Sequence, residues 1–202
     1  AFNRSFVKDS SKIGTVDWSV HAETDAPADA RKCYESVRDY LTQYPNHRKF
    51  ILGFGLDYSE NGFPPRWFSE LFTQIKLDGF RTVAHAGEEG PAEYVKESLT
   101  KLHVKRIDHG NRAMEDPELV SELIDKQIPL TLCPLSNLAL KVINTLEQHP
   151  LKLMLDRRMK ATVNSDDPAY FGGYINANKQ KAAKALNLSY AELYQLARNS
   201  IE

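Results

Sequence analysis

Residues 81–110 read RTVAHAGEEGPAEYVKESLTKLHVKRIDHG, and this stretch decides the fold. An apolar strand ends on His85, a helical segment follows Pro91, and a second apolar strand ends on Asp108 and His109. The same alternation of strand and helix continues in both directions along the chain. Because each helix returns the chain to the start of the next strand, this order predicts an α/β fold with a parallel sheet.

The whole chain contains about six such strands. They are predicted at residues 12–20, 50–56, 81–84, 104–107, 128–132 and 159–163. A closed (β/α)8 TIM barrel has eight, so we expect a partial barrel of about six βα units, with the missing pair before Ala1. No linker or repeat interrupts the pattern, and residues 1–202 are predicted to form a single domain.

Composition narrows the class of protein further. The chain has 202 residues, a net charge of −1 and 42% hydrophobic residues, enough for one sizeable core. The near-neutral charge argues against a general affinity for nucleic acid or anionic membranes. No apolar run could span a bilayer, and the first residues do not resemble a signal peptide. Two cysteines make a weak case for a disulfide framework in a chain of this length, so we expect reduced thiols in a cytoplasmic protein. They lack Cys-X-X-Cys spacing, so a thiolate metal site is not expected.

Four polar clusters follow the predicted strands. They are HAGE at 85–88, DHG at 108–110, SN at 136–137 and NSDDP at 164–168. Histidines and carboxylates at the carboxyl ends of barrel strands can hold a divalent metal that activates a water molecule. The sequence therefore predicts a metal-dependent hydrolytic site.

His85 and Glu88 form the first candidate pair. In the functional interpretation His85 binds the metal and Glu88 delivers a proton. In the alternative, His85 bonds to backbone at a strand end, and Glu88 belongs to the acidic first turn of a helix.

The DHG cluster at 108–110 and the NSDDP cluster at 164–168 also place acidic residues, and in DHG a histidine, at the ends of predicted strands. His109 either binds the metal, orients the attacking water, or is a structural histidine. Asp166 and Asp167 would repel each other at a buried strand end without a nearby cation, so one is expected to bind metal and the other substrate. The alternative for this pair is an Asp-rich turn before Pro168.

Other polar residues are weaker candidates. Ser136 and Asn137 could line a pocket from a turn, whereas Cys133 is expected to pack in the core. His21 is expected to be an exposed loop residue, and His149, which precedes a proline, to be a turn residue.

The strings HAGEEGP, RIDHG, CPLSN and NSDDPAYFGGY together resemble the adenosine/adenine deaminase family of metal-dependent hydrolases. The last two strings are more similar to the branch that acts on adenine. The resemblance runs from about Ile13 to the chain end. It implies hydrolytic deamination of adenine to hypoxanthine and ammonia, as in purine salvage, with Zn²⁺ as cofactor and a small-molecule purine as substrate.

The resemblance also implies a role for each matching residue. His85 and Asp166 would be zinc ligands, and Glu88 would donate a proton to the purine ring nitrogen beside the reacting carbon. His109 would position and help deprotonate the attacking water. Asp167 would bind the imidazole edge of the purine.

The chain departs from the family pattern in two places. The family's first strand ends in a His-X-His pair of zinc ligands, and no such pair occurs in this chain. We therefore expect a fragment that lacks the N-terminal strands and, alone, binds zinc weakly and is inactive. Tyr58 stands where the family has a small residue, and we expect it to narrow the pocket for a free base.

Three rival functions stay open. The first is an adenosine deaminase of the same fold, and the second is an inactive barrel kept as a binding module. A deaminase acting on AMP is disfavoured, because no basic cluster adjoins the motifs to hold a phosphate.

Overall fold

The computed structural model describes residues 14–19, 26–57 and 59–201. His21 and Tyr58, with the predictions made for them, lie outside these residues. The chain forms two compact units. The first contains the residues up to His85 together with Lys96–Lys105, and the second contains Ala86–Val95 and the residues from Arg106 onward. The single domain over residues 1–202 stays a prediction.

Strands and helices alternate along the described residues, as the sequence predicts. The strands are β1 (Gly14–Ser19), β2 (Ile51–Asp57), β3 (Arg81–Ala86), β4 (Ile107–His109), β5 (Leu130–Leu132) and β6 (Ala161–Val163). The α-helices are α1 (Ala26–Gln43), α2 (Ser69–Leu77), α3 (Ala92–Glu97), α4 (Pro117–Asp125), α5 (Pro134–Ala139), α6 (Leu151–Asp156), α7 (Pro168–Phe171), α8 (Ile175–Ala185) and α9 (Tyr190–Asn199). Short 3-10 helices cover Pro45–Phe50, Pro65–Phe68, Asn111–Glu115 and Leu146–Gln148, and a π-helical turn covers Ser98–Leu102.

Strand pairing is parallel within each unit. In the first unit β2 pairs with β1 and with β3, and the backbone of Arg81 approaches Gly53 so closely that a Cβ there would meet its carbonyl oxygen. In the second unit β5 pairs with β4 and with β6, with Leu130 opposite Ile107 and Ala161. Parallel strands present their carboxyl ends on one edge, so residues that follow β4, β5 and β6 share an edge.

Each unit has its own apolar core. In the first, the rings of Tyr34 and Phe80 pack edge-on against Phe54, with centroids 5.0 and 4.8 Å away. In the second, the largest fully buried side chains come from strands β4 and β5 and from helices α4, α6 and α9. They are Ile107, Leu119, Leu123, Leu130, Leu132, Leu151, Met154 and Leu196.

The sequence predicts N-caps at Asp116, before Pro117, and at Ser189, and the structure confirms both. The Asp116 carboxylate accepts the backbone N–H groups of Glu118 and Leu119 at the start of α4. Ser189 and Glu192 form a reciprocal capping box at the start of α9. The predicted turn over CPLSN is wrong, because Pro134 opens the short helix α5 there.

None of the helices in the described part of the chain combines the length and the apolar composition of a membrane span.

Candidate active site

Two residues that the sequence singles out in the second unit have left-handed backbone geometry. His109, the last residue of β4, has φ +66°, and Asp166, just after β6, has φ +53°. Left-handed backbone is unfavourable for residues other than glycine. Such strain clusters at functional sites, and here it occurs at two residues that the sequence singles out.

The turn after β3 is held by the segment that follows β4. The N–H of Gly110 donates to the Ala86 carbonyl at 3.0 Å, and the N–H of Arg112 donates to the Gly87 carbonyl at 2.8 Å. Gly87 has φ +75°, and a Cβ there would lie 2.6 Å from a methyl carbon of Val95, so the position requires glycine. This turn places the side chain of Glu88 next to the ring of His109.

Glu88, His109 and Asp166 come together at this edge. The Nδ1 atom of His109 lies 3.1 Å from Oε1 of Glu88, and its Nε2 atom lies 4.0 Å from Oδ2 of Asp166. The imidazole is almost completely buried, and both carboxylates are largely shielded from solvent. A ring with one carboxylate at each nitrogen can take up a proton at one nitrogen while the other stays hydrogen-bonded.

Cys133 adds a sulfur atom to this cluster. Its Sγ, one ring nitrogen of His109 and one carboxylate oxygen of Asp166 all lie within 4.8 Å of one another. Burial, together with the negative charges of Asp166, Glu88 and Asp108, raises the pKa of the Cys133 thiol, so it stays protonated. The His109 nitrogen and the Asp166 oxygen are donors that suit zinc, whereas a protonated thiol is not a zinc ligand.

His85 belongs to the first unit, where it contacts the end of β2. Its Nδ1 lies 3.2 Å from the carbonyl oxygen of Leu56, and its Nε2 lies 3.4 Å from Oδ1 of Asp57. A hydrogen bond from one ring nitrogen to a carbonyl is how metal-binding histidines are usually oriented. The same bond is also the backbone contact of the structural alternative.

Asp167 follows Asp166 at the start of α7. Its backbone carbonyl accepts the N–H groups of Tyr170 and Phe171, and its side chain is exposed. The two aspartates therefore differ in exposure. Asp166 is half-buried and faces His109, whereas Asp167 is exposed.

Sequence reasoning missed a buried polar network behind Glu88. Asn137 bonds to Glu88, Asn111 and His149. Asn137, Asn111 and His149 are all buried. The prediction of His149 as a turn residue is wrong, because its ring is only 3% exposed. The position of Asn137 after β5 predicts an amide that lines a pocket, so the sequence does point to this residue. Nothing in the sequence points to His149.

Comparison with known proteins gives consistent results. The sequence profile of the adenosine deaminase family matches residues 2–202. An adenine deaminase of Sphingopyxis alaskensis is 59% identical over 150 residues, which cover 74% of this chain and 44% of the relative. An adenine deaminase of Chlorobium luteolum is 53% identical over 160 residues, which cover 79% of this chain and 47% of the relative. The chain thus spans about half the length of the curated relatives that it matches.

Solved structures agree with the sequence comparison. An adenine deaminase from Arthrobacter aurescens superimposes with a TM-score of 0.77 at 48% identity, covering 83% of this chain and 51% of that one. An amidohydrolase with bound Zn from Burkhoderia ambifaria superimposes with a TM-score of 0.78 at 27% identity, covering 94% of this chain and 50% of that one. These matches confirm the predicted fold class, a partial barrel of the metal-dependent hydrolase type. The chain belongs to the adenosine deaminase family.

Proposed function

We propose that this chain supplies the proton-transfer residues and part of the metal site of an enzyme that hydrolyses adenine to hypoxanthine and ammonia. The observation that carries the proposal is the buried contact of His109 with Glu88 on one side and Asp166 on the other. The names of the relatives, which are adenine deaminases, support the free base as substrate.

The resemblance to the family implies that His85 and Asp166 are metal ligands. Zinc, when bound, supplies a water molecule whose pKa is lowered toward neutrality and which is therefore a strong nucleophile. Support comes from the oriented imidazole of His85, the strained backbone of Asp166, and the bound Zn of the Burkhoderia ambifaria amidohydrolase.

The proton-transfer steps fall to Glu88 and His109. His109 takes a proton from the attacking water at Nε2, the nitrogen that faces Asp166. Glu88 donates a proton to the purine ring nitrogen beside the carbon that bears the amino group, which makes that carbon more electrophilic. Asp167, exposed at the start of α7, would bind the imidazole edge of the purine.

The test is deamination by the protein expressed from its complete gene. We expect ammonia and hypoxanthine from adenine in the zinc-loaded protein, with adenosine and AMP as poor substrates. Glu88→Gln should lower kcat by about 10²–10⁴-fold, the usual contribution of a general acid, and leave the zinc content unchanged. Glu89→Gln is the matched control, because Glu89 is the exposed neighbour of Glu88.

Three results would overturn the proposal. Faster turnover of adenosine than of adenine would assign the nucleoside as substrate. Stoichiometric zinc without turnover of any of the three compounds would favour a binding module. Equal loss of kcat in the two glutamine variants would remove Glu88 from its role.

A further inference from the structure

A network of three buried side chains stands behind Glu88 and is not used by the proposed reaction. The side-chain amide of Asn137 donates to Oε1 of Glu88 at 2.6 Å. On its other side, Oδ1 of Asn137 accepts from Nδ2 of Asn111 at 2.8 Å and lies 3.1 Å from Nε2 of His149. Asn137 is 0% exposed, so its amide exchanges no hydrogen bonds with bulk solvent.

The ring of His149 is held in one tautomer. The backbone N–H of Leu151 donates to Nδ1 of His149 at 3.1 Å, so Nδ1 carries no proton. The ring proton therefore sits on Nε2 and is donated to Oδ1 of Asn137. Burial lowers the pKa of His149 to about 4, which keeps the ring neutral near pH 7.

These contacts permit a single orientation of the Asn137 amide. Its carbonyl oxygen has two lone pairs, and each receives a donor, one from Asn111 and one from His149. A rotation of the amide by a half turn would direct NH₂ at both donors and present an oxygen to Oε1 of Glu88. Both changes are unfavourable in a buried site, where an unmatched polar group loses the hydrogen bonds that water would supply.

We propose that Asn137 is a positioning residue for Glu88, and that His149 and Asn111 act through it by keeping its NH₂ group directed at the Glu88 carboxyl. This inference rests on the proposed function, because it assigns a role within the same reaction. Proton transfer depends steeply on geometry, and a misplacement of about 1 Å can cost about 10²-fold in rate. The network thus supplies the rigid support that a proton donor on a turn lacks.

Asn178 provides a matched control. It is also fully buried and also bonds to α5, since its Oδ1 accepts the N–H of Leu135 at 3.1 Å. Its NH₂ group donates to the carbonyls of Gly173 and Tyr174. Substituting Asn178 therefore disturbs the same helix and should lower stability by a similar amount, without removing a bond to Glu88.

The experiment compares Asn137→Ala with Asn178→Ala in the zinc-loaded protein expressed from its complete gene. We expect Asn137→Ala to lower kcat on adenine by about 10–10²-fold while KM changes less than about 3-fold. Asn178→Ala should leave kcat within about 3-fold of the original, with a comparable decrease in Tm. Equal effects of the two substitutions on kcat, or an unchanged kcat in Asn137→Ala, would overturn the inference.

A second pair of variants keeps the inference testable if Asn137→Ala does not fold. His149→Leu removes the N–H group that donates to Oδ1 of Asn137. His149→Gln keeps an N–H donor, because the glutamine side chain ends in an amide. We expect a lower kcat in the leucine variant and recovery of most of it in the glutamine variant. Equal kcat in the two would exclude His149 from the positioning role.

A readout independent of turnover is the NMR signal of the Asn137 side-chain amide. A proton in a short hydrogen bond to a carboxylate should resonate downfield, and Glu88→Ala should abolish the shift.

If the original protein binds zinc but does not deaminate adenine, the proposed function fails and this inference with it. If the protein is active and Asn137→Ala is equally active, only the inference fails.

Discussion

Acidification should destabilise the folded chain through His149. Burial lowers the pKa of this residue from 6.5 to about 4. Between these two values the unfolded chain binds more protons than the folded chain, so the free energy of unfolding falls as the pH decreases from about 6.5 to about 4. At about 1.4 kcal/mol for each pKa unit, the gap between 6.5 and about 4 amounts to about 3 kcal/mol. Below about pH 4 both states are protonated and His149 contributes no further loss.

The assay compares urea unfolding of the original protein and His149→Gln from about pH 7.5 to about pH 4. Glutamine does not titrate, so only the original protein loses the contribution of His149. Its free energy of unfolding should therefore fall by about 3 kcal/mol relative to that of His149→Gln as the pH falls. Other titrating groups are shared and cancel in the difference. An NMR titration of the His149 ring then checks the pKa directly.

The control for this prediction is His47→Gln, which removes an exposed histidine and leaves His149 unchanged. It should retain the pH dependence that His149 confers. A His149 ring that titrates near pH 6.5 in the folded protein would refute the reasoning, as would a stability difference that stays constant across this range.

Three further substitutions or measurements test local features of the fold. Gly87→Ala should lower the free energy of unfolding by about 2 kcal/mol, because its Cβ would clash with Val95 on left-handed backbone; an unchanged urea midpoint would contradict this. Ser189→Ala should cost about 1 kcal/mol by removing the cap of α9, and Ser189→Asp should restore most of it; thermal unfolding that does not distinguish the two variants would argue against the cap. A thiol reagent should modify the half-buried Cys33 in the folded protein and reach Cys133 only after unfolding, because burial raises the pKa of Cys133; equal rates for both thiols would contradict its burial.

Features set by nearby residues could be predicted from the sequence. The strands and the helices between them follow from runs and periodicities of apolar residues. The caps at Asp116 and Ser189 follow from side chains that bond to backbone only two or three residues away. The boundaries shifted where such signals were weak: β4 covers Ile107–His109, whereas the strand was predicted to begin at Val104.

The candidate site could be predicted only in outline. The sequence singled out Glu88, His109 and Asp166, because each follows a strand of a parallel sheet. That rule places them on one edge but specifies no distances and no ring orientation. The sequence did not identify the relation between Asn137 and His149, because histidine before proline is common in ordinary turns.

By itself the sequence determined the alternation of strand and helix, the edge on which the polar residues collect and the family to which they are similar, because local propensities and short motifs carry this information. Tertiary structure alone decided that His149 is buried, that Asn137 joins it to Glu88 and that His109 contacts two carboxylates. These contacts join residues 12 to 57 positions apart in the chain, and their geometry depends on how the strands and helices pack around a common core.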